Sequence, residues 1–266
     1  MKMKHKRNDL LGKRIAVISD IHSNNDSLKC AIEIIRKKKV DVIIILGDLL
    51  TYGCQVNESV EELLMLKKEY PCLFIIGNHD EFYFNLSENK AHENYSVPMF
   101  IEESINWNFE QLKYNLKEVF TWYESINVGP VLFAHANPYE FKDWSYINSE
   151  VDILNAVDAL DKGSYSIGVF GHTHRPMSKS VSLVDKKVFD VSEEFNHSTG
   201  EHLILNPGSL GQPRGDGASF LIMEINSDNT KYEHVKISYE KHEFLSLFSE
   251  SGMTTSTIRK LKKYYE

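Results

Sequence analysis

Five short apolar runs, at residues 14–19, 40–46, 72–76, 131–134 and 166–170, are each followed at once by a residue able to bind a metal. They lead into Asp20-Ile21-His22, Gly47-Asp48, Gly77-Asn78-His79-Asp80, His135 and Gly171-His172-Thr173-His174. Runs of this length, rich in Val, Ile and Phe, read as buried strands. Between them lie longer stretches of helical period, which is the pattern of an α/β sheet covered by helices. Residues 26–39 place Leu28, Ala31, Ile32 and Ile35 at 3 and 4 spacing, with Asp26 as the expected N-cap. Residues 57–70 repeat the device with Val60, Leu63, Leu64 and Leu66, and Pro71 stops it. A third helix is expected over 104–125, where an aromatic stripe of Trp107, Phe109 and Tyr114, followed by Phe120, Trp122 and Tyr123, suits packing.

After Phe170 the texture changes to strands at 179–184, 188–191, 202–205, 219–225 and 232–237, with turns at Asp185-Lys186-Lys187 and Asn226-Ser227-Asp228-Asn229. The segment 241–266 is expected to be helical, and residues 1–13 to form a basic, solvated tail. Between them, 14–240 reads as one catalytic domain. In an open α/β sheet, sites assemble outside the carboxyl ends of the strands, so five such loops can converge. Carboxylate and imidazole groups without thiolates suit Mn²⁺, Fe²⁺ or Zn²⁺. Residues two apart in an extended segment point the same way, which makes pairs of Asp20 with His22 and of His172 with His174. Two metals about 3.5–4 Å apart can hold a water or hydroxide and clamp a phosphoryl group for in-line attack. Such a pair needs a bridging carboxylate, and Asp48, alone after its glycine, is the best placed.

The 266 residues include 42% hydrophobic ones, enough for a sizeable core, and the formal net charge is −8. An acidic total argues against coating nucleic acid by general basicity, while leaving a local basic patch and a nucleic acid substrate open. Cys30, Cys54 and Cys72 are odd in number and show no zinc or disulfide spacing, so they read as reduced thiols in a cytoplasmic protein. The apolar stretch after the basic leader, 15–18, is too short for a signal peptide. No run approaches the roughly 20 apolar residues of a membrane span.

Taken together, Asp20-Ile21-His22, Gly47-Asp48, Gly77-Asn78-His79-Asp80, His135 and Gly171-His172-Thr173-His174 resemble the signature blocks of the calcineurin-like metallophosphoesterases, in order and spacing. Tyr52-Gly53, Asn57-Glu58, Asn206-Pro207-Gly208-Ser209 and Gly211-Gln212-Pro213-Arg214 are similar to the small bacterial and archaeal phosphodiesterase-like branch. The resemblance runs over about 15–225 and implies a four-layer α/β/β/α sandwich with a dinuclear metal site at the strand C-terminal ends. It implies one ion on Asp20, His22, Asp48 and His174, and another on Asp48, Asn78, His135 and His172. Mn²⁺ is the expected metal, with Fe²⁺, Zn²⁺ or Ni²⁺ as alternatives. His79 would act on the leaving group and Asp80 would orient its ring. The implied function is hydrolysis of a small or nucleotide-like phosphodiester by metal-activated hydroxide. A phosphomonoesterase or nucleotide pyrophosphohydrolase is the alternative, and a non-catalytic scaffold the lesser one.

Protein phosphatases of this superfamily carry an acidic–arginine pair after the Gly-Asp block, whereas here Leu49-Leu50-Thr51-Tyr52 follow. Cys54 and Val56 stand where the branch tends to have proline. Arg175 and Arg214 are candidates for phosphate contacts, since a guanidinium matches phosphate geometry. The remaining histidines, His5, His92, His197, His202, His234 and His242, read as structural. A scaffold that had given up its metals should have lost a ligand, and all seven are kept.

Overall fold

A computed structural model describes residues 2–90, 97–191, 193–197 and 200–265. In chain order its strands are β1 (Lys2–Lys6), β2 (Arg14–Ile18), β3 (Val42–Ile45), β4 (Cys72–Ile75), β5 (Trp122–Val128), β6 (Val131–Ala134) and β7 (Ile167–Phe170). They continue with β8 (Met177–Ser182), β9 (Lys187–Asp190), β10 (Glu194–Asn196), β11 (Glu201–Asn206), β12 (Ala218–Ile225) and β13 (Asn229–Ile237). The helices are α1 (Asn25–Lys38), α2 (Val56–Glu69), α3 (Asn78–Ser87), α4 (Met99–Gln111), α5 (Leu116–Val119), α6 (Glu150–Lys162), α7 (His242–Glu250) and α8 (Thr255–Lys262). All the strands join one sheet in the order β10-β13-β12-β2-β3-β4-β5-β6-β7-β11-β8-β9, with β1 paired to β5.

Alternation along the central strands sorts their side chains into layers. Ala16, Ile18, Ile43 and Ile45 face Leu28, Ile32, Val60 and Leu63 of α1 and α2. Their neighbours Ile15, Val17, Val42 and Ile44 pack instead with Val131, Phe133, Ile167, Val169, Leu203 and Leu205 of the other half of the same sheet. On the far side, Leu132, Ala134, Phe170 and Ile204 cover Ile153, Ala156, Val157 and Leu160 of α6. The sheet is therefore curled onto itself, giving helix, sheet, sheet and helix layers. Strands buried on both faces carry near-continuous apolar runs, which is why 42–45 reads Val-Ile-Ile-Ile.

Several expectations are corrected. Lys2–Lys6 is no solvated tail, because it pairs in parallel with β5 from Lys2↔Tyr123 to Lys6↔Asn127. Backbone pairing outweighs the solvation of its charged side chains. The first helix is capped by Asn24, whose side chain accepts from Ser27 N at 3.1 Å, and not by Asp26, which lies in the first turn. The helix expected over 104–125 ends at Gln111. Trp122 and Tyr123 belong to β5, which joins β4 at Phe74↔Trp122 and runs antiparallel to β6. The 241–266 segment forms two helices, α7 and α8, over its described part. His92 lies outside the described residues. Among the described residues no helix is long and apolar enough to cross a membrane.

Candidate metal centre

Strands β2 and β7 have four strands between them, which in a flat sheet at about 4.8 Å per strand would hold them roughly 24 Å apart. Yet His174 Nε2, after β7, lies 3.2 Å from Asp20 Oδ1, after β2. Curling of the sheet brings the carboxyl ends of β2, β3, β4, β6 and β7 to one point. Two groups able to hold an ion meet there: Asp20, His22, Asp48 and His174, and Asp48, His135 and His172. Asn78, at the start of α3, brings its Oδ1 to 3.1 Å from His135 Nε2.

Each imidazole is tied on one side to a backbone carbonyl, which can only accept. His22 Nδ1 donates to Leu50 O (3.0 Å), His135 Nδ1 to Leu46 O (2.7 Å), His174 Nδ1 to Gln212 O (2.8 Å) and His172 Nε2 to Trp144 O (2.9 Å). Such bonds set the tautomer and turn the other nitrogen inward as a lone pair. Those nitrogens then face each other, His22 Nε2 to His174 Nε2 at 3.2 Å and His135 Nε2 to His172 Nδ1 at 3.2 Å. The carboxylates are built alike. Asp20 Oδ2 accepts from Ser19 Oγ (2.6 Å) and His172 N (3.2 Å), and Asp48 Oδ1 from His79 N (2.9 Å). Their second oxygens, Asp20 Oδ1 and Asp48 Oδ2, are buried without a hydrogen-bond partner. A buried cluster composed almost wholly of acceptors is costly unless cations fill it, and the donor set suits divalent ions.

Electrostatics point the same way. Burial opposes the charges, but His174 and His135 hold the Asp20 carboxyl low, and His135 and His79 hold Asp48 well below the usual carboxylate range. Burial lowers His22 well below its ordinary value and takes His172 down to about 3. Burial also opposes charge on His135, but the Asp48 carboxylate more than offsets it and pushes this ring up to about 9. An ion held beside the Asp48 carboxylate would take over the role of the ring's positive charge and leave His135 neutral as a ligand.

The local backbone is bent to make this convergence. Asp20 (φ 54°), His22 (48°), Asp48 (55°), His172 (62°) and His174 (60°) all sit in the left-handed region, at a cost of order 1–3 kcal/mol each. Gly77 is needed because a Cβ there would lie 2.1 Å from Asp48 Oδ1 and 2.7 Å from Asp48 N.

Asp80 does something other than expected. Its carboxylate accepts from Gly77 N (2.8 Å), Asp48 N (2.8 Å) and Leu49 N (3.0 Å), stitching the β3 and β4 loops together. It does not hold the His79 ring, whose Nδ1 is buried without a partner and whose Nε2 meets Tyr52 Oη at 3.3 Å. Burial and the Asp48 charge push Asp80 up to about 7, against the pull of these N–H bonds. Asp80→Asn can satisfy only one side of this clamp, so it should cost about 1–3 kcal/mol of stability. Thermal unfolding read beside kcat on two leaving groups checks this: a lower Tm with an unchanged leaving-group preference is expected, and a changed preference at wild-type Tm would restore the ring-orienting role.

Arg214 reaches the mouth of the centre, with its Nη2 donating to Gln212 Oε1 at 3.1 Å. Arg175 is exposed, and its backbone N–H donates to Thr173 Oγ1 at 3.4 Å. Among the described residues, none of the histidines read as structural belongs to either ion group: His234 Nε2 donates to Asn206 O, His197 bonds Thr230 and His5 stacks on Tyr123. Residues without a sequence signal also shape the site. Asn108 of α4 accepts from Ser23 Oγ (2.6 Å) and Thr51 N (3.2 Å) and donates to Gly53 O (3.1 Å), binding two ligand loops to one helix.

A curled α/β/β/α sheet that gathers carboxylate and imidazole lone pairs at its parallel strand ends defines a metal-dependent hydrolase. The chain belongs to the calcineurin-like phosphoesterase superfamily, whose domain model matches residues 14–228, and it is thus a phosphoester hydrolase. It is 30% identical over 235 residues to an uncharacterized protein of Methanocaldococcus jannaschii, covering 85% of this chain and 88% of that one. In fold it is similar to a metallophosphoesterase from Sphaerobacter thermophilus (TM-score 0.68, 24% identity, 95% of this chain and 99% of that one). A hypothetical protein from Pyrococcus horikoshii OT3 shares the fold as well (TM-score 0.72, 15% identity, 93% and 97% covered).

Proposed function

We propose that this chain hydrolyses small phosphodiesters of nucleotide-like size, with two divalent ions, Mn²⁺ foremost. The observation that carries the reading is the buried cluster of inward-facing lone pairs around Asp20 Oδ1 and Asp48 Oδ2. Asp20, His22, Asp48 and His174 would hold one ion, and Asp48, Asn78, His135 and His172 the other. When bound, such a pair supplies Lewis acidity and a nucleophile at neutral pH. Two carboxylates would not neutralise two divalent ions, so the loaded centre would be positive and would attract a phosphate.

The chain's own groups supply the rest. Arg214, half-buried at the mouth, offers a guanidinium to a phosphate oxygen. Asn78 adds a neutral oxygen, which limits negative charge near an anionic substrate. His79 keeps Nδ1 unpartnered and available to a leaving-group oxygen, while its ring is held by Tyr52 through Nε2. Burial pushes His79 down to about 4 and raises the Tyr52 hydroxyl, so that hydroxyl stays protonated as a donor. Preference for diesters is supported by the likeness of 206–214 to the phosphodiesterase-like branch.

The test is to strip the protein of metal, reload it with Mn²⁺ and assay matched mono- and diesters with a nucleotide panel. Turnover only after reloading, and faster on bis(p-nitrophenyl) phosphate than on p-nitrophenyl phosphate, is expected. Activity in the metal-free sample would sink the metal reading, and a monoester preference would sink the diester one.

A further inference from the structure

We infer that Tyr264 is a specificity-determining residue, a wall contributed by the C-terminal segment that limits the ester groups able to reach the metal centre. The inference rests on the function proposed above. Helices α7 and α8 pack through Phe244, Phe248, Met253, Leu261 and Tyr265 onto Tyr52, which follows Asp48 on the β3 loop. They are pinned from the other side by α4. Trp107 Nε1 donates to Ser251 O (2.6 Å), and Glu103 accepts from Thr254 N (2.6 Å) and Thr254 Oγ1 (2.8 Å). At the far end Lys241 Nζ donates to Tyr265 O (2.9 Å), which fixes the backbone beside Tyr264.

Held in this way, the Tyr264 ring centroid lies 5.7 Å from that of Tyr52, and the Arg214 guanidinium carbon stands 5.9 Å from the Tyr264 centroid. Arg214 lies close enough to Tyr146 to feel it electrostatically, and the Tyr146 ring stacks on His172 at 4.3 Å and 15°. Tyr52 in turn meets the His22 ring edge-on at 4.7 Å. A continuous line of contacts therefore runs from His172 through Tyr146, Arg214, Tyr264 and Tyr52 to His22, from a ligand of one ion group to a ligand of the other. Beneath it His172 is 5% exposed, His174 2% and Asp48 1%, whereas Tyr146 is 45% exposed. The line marks the side from which a phosphate enters. Tyr146 stacks on a ligand histidine and Arg214 is the phosphate contact proposed above, but Tyr264 belongs to neither ligand group and its ring stands beside them. An ester group on the phosphate wider than the gap has to displace that ring, and a slim one does not.

The experiment uses the full-length, Mn²⁺-loaded protein and two diesters sharing a p-nitrophenolate leaving group, methyl p-nitrophenyl phosphate and thymidine 5′-(p-nitrophenyl) phosphate. In Tyr264→Ala the ratio of kcat/KM for the bulky ester over the slim one should rise about tenfold, with metal content unchanged. Tyr264→Phe keeps the ring and should keep the wild-type ratio. Binding of methylphosphonate and phenylphosphonate by calorimetry gives a readout free of turnover and should show the same shift. If the wild type binds both phosphonates and hydrolyses neither ester, the proposed function fails while the phosphonate ratio still judges the wall. Ratios unchanged by Tyr264→Ala, in turnover and in binding, would overturn it.

Discussion

Asp48→Asn is expected to empty both ion positions and abolish phosphoester turnover. The reason lies in how the carboxylate is held. Oδ1 accepts from His79 N at 2.9 Å, while Oδ2, unpartnered, lies 3.7 Å from His22 Nε2 and 3.4 Å from His135 Nε2, between the two groups that share Asp48. An asparagine must keep its carbonyl oxygen toward the His79 N–H, since an amide nitrogen there would set donor against donor. Its NH₂ then points into the cluster, where a bridging acceptor is needed. His135→Ala removes a group from one side only and should chiefly deplete one ion. Elemental analysis of the two variants beside the wild type reads this directly. Two tightly held ions with near-normal turnover in Asp48→Asn would refute the bridging role.

How far such a site is legible from sequence depends on whether its chemistry is local. Asp20, His22, Asp48, Asn78, His135, His172 and His174 each follow a short apolar run, so strand and ligand are read together. The parallel strand ends then lie along one edge of the sheet, and its curl gathers them at one point. What fails is what depends on distant partners. Trp122 and Tyr123 continue an aromatic pattern that suits a helix, and pairing of β5 with β4 and β6 decides the matter. The alternation Lys2-Met3-Lys4-His5-Lys6 has the period of a strand, but its charge argues for solvent, and β5 again settles it. Asp80 beside His79 invites a carboxylate–imidazole pair. The three backbone N–H groups it accepts from, at Gly77, Asp48 and Leu49, carry no mark in the sequence. Tyr146, stacked on His172, and Tyr264, beside Arg214, lie on separate segments where aromatic residues have many other uses.

His79→Asn is expected to lower kcat by roughly 10²–10⁴-fold with both ions retained, as for loss of a positioned acid. Asn78 already supplies the oxygen that this loop turns toward His135, and His79 belongs to neither ion group. Its backbone N–H bond to Asp48 Oδ1 survives the substitution, so the bridging carboxylate stays in place. What is lost is the ring, with the Nδ1 that no protein group occupies. The size of the loss should depend on the leaving group. An alkoxide departs only with a proton, whereas p-nitrophenolate is stable enough to leave unaided, so an alkyl or nucleotide ester should suffer far more than an activated aryl ester. Measuring kcat for both ester types in wild type and variant, with metal content determined alongside, separates three roles. A large loss confined to the poor leaving group identifies the acid. Equal losses on both would make His79 a stabiliser of phosphoryl charge, and loss of an ion would make it a ligand.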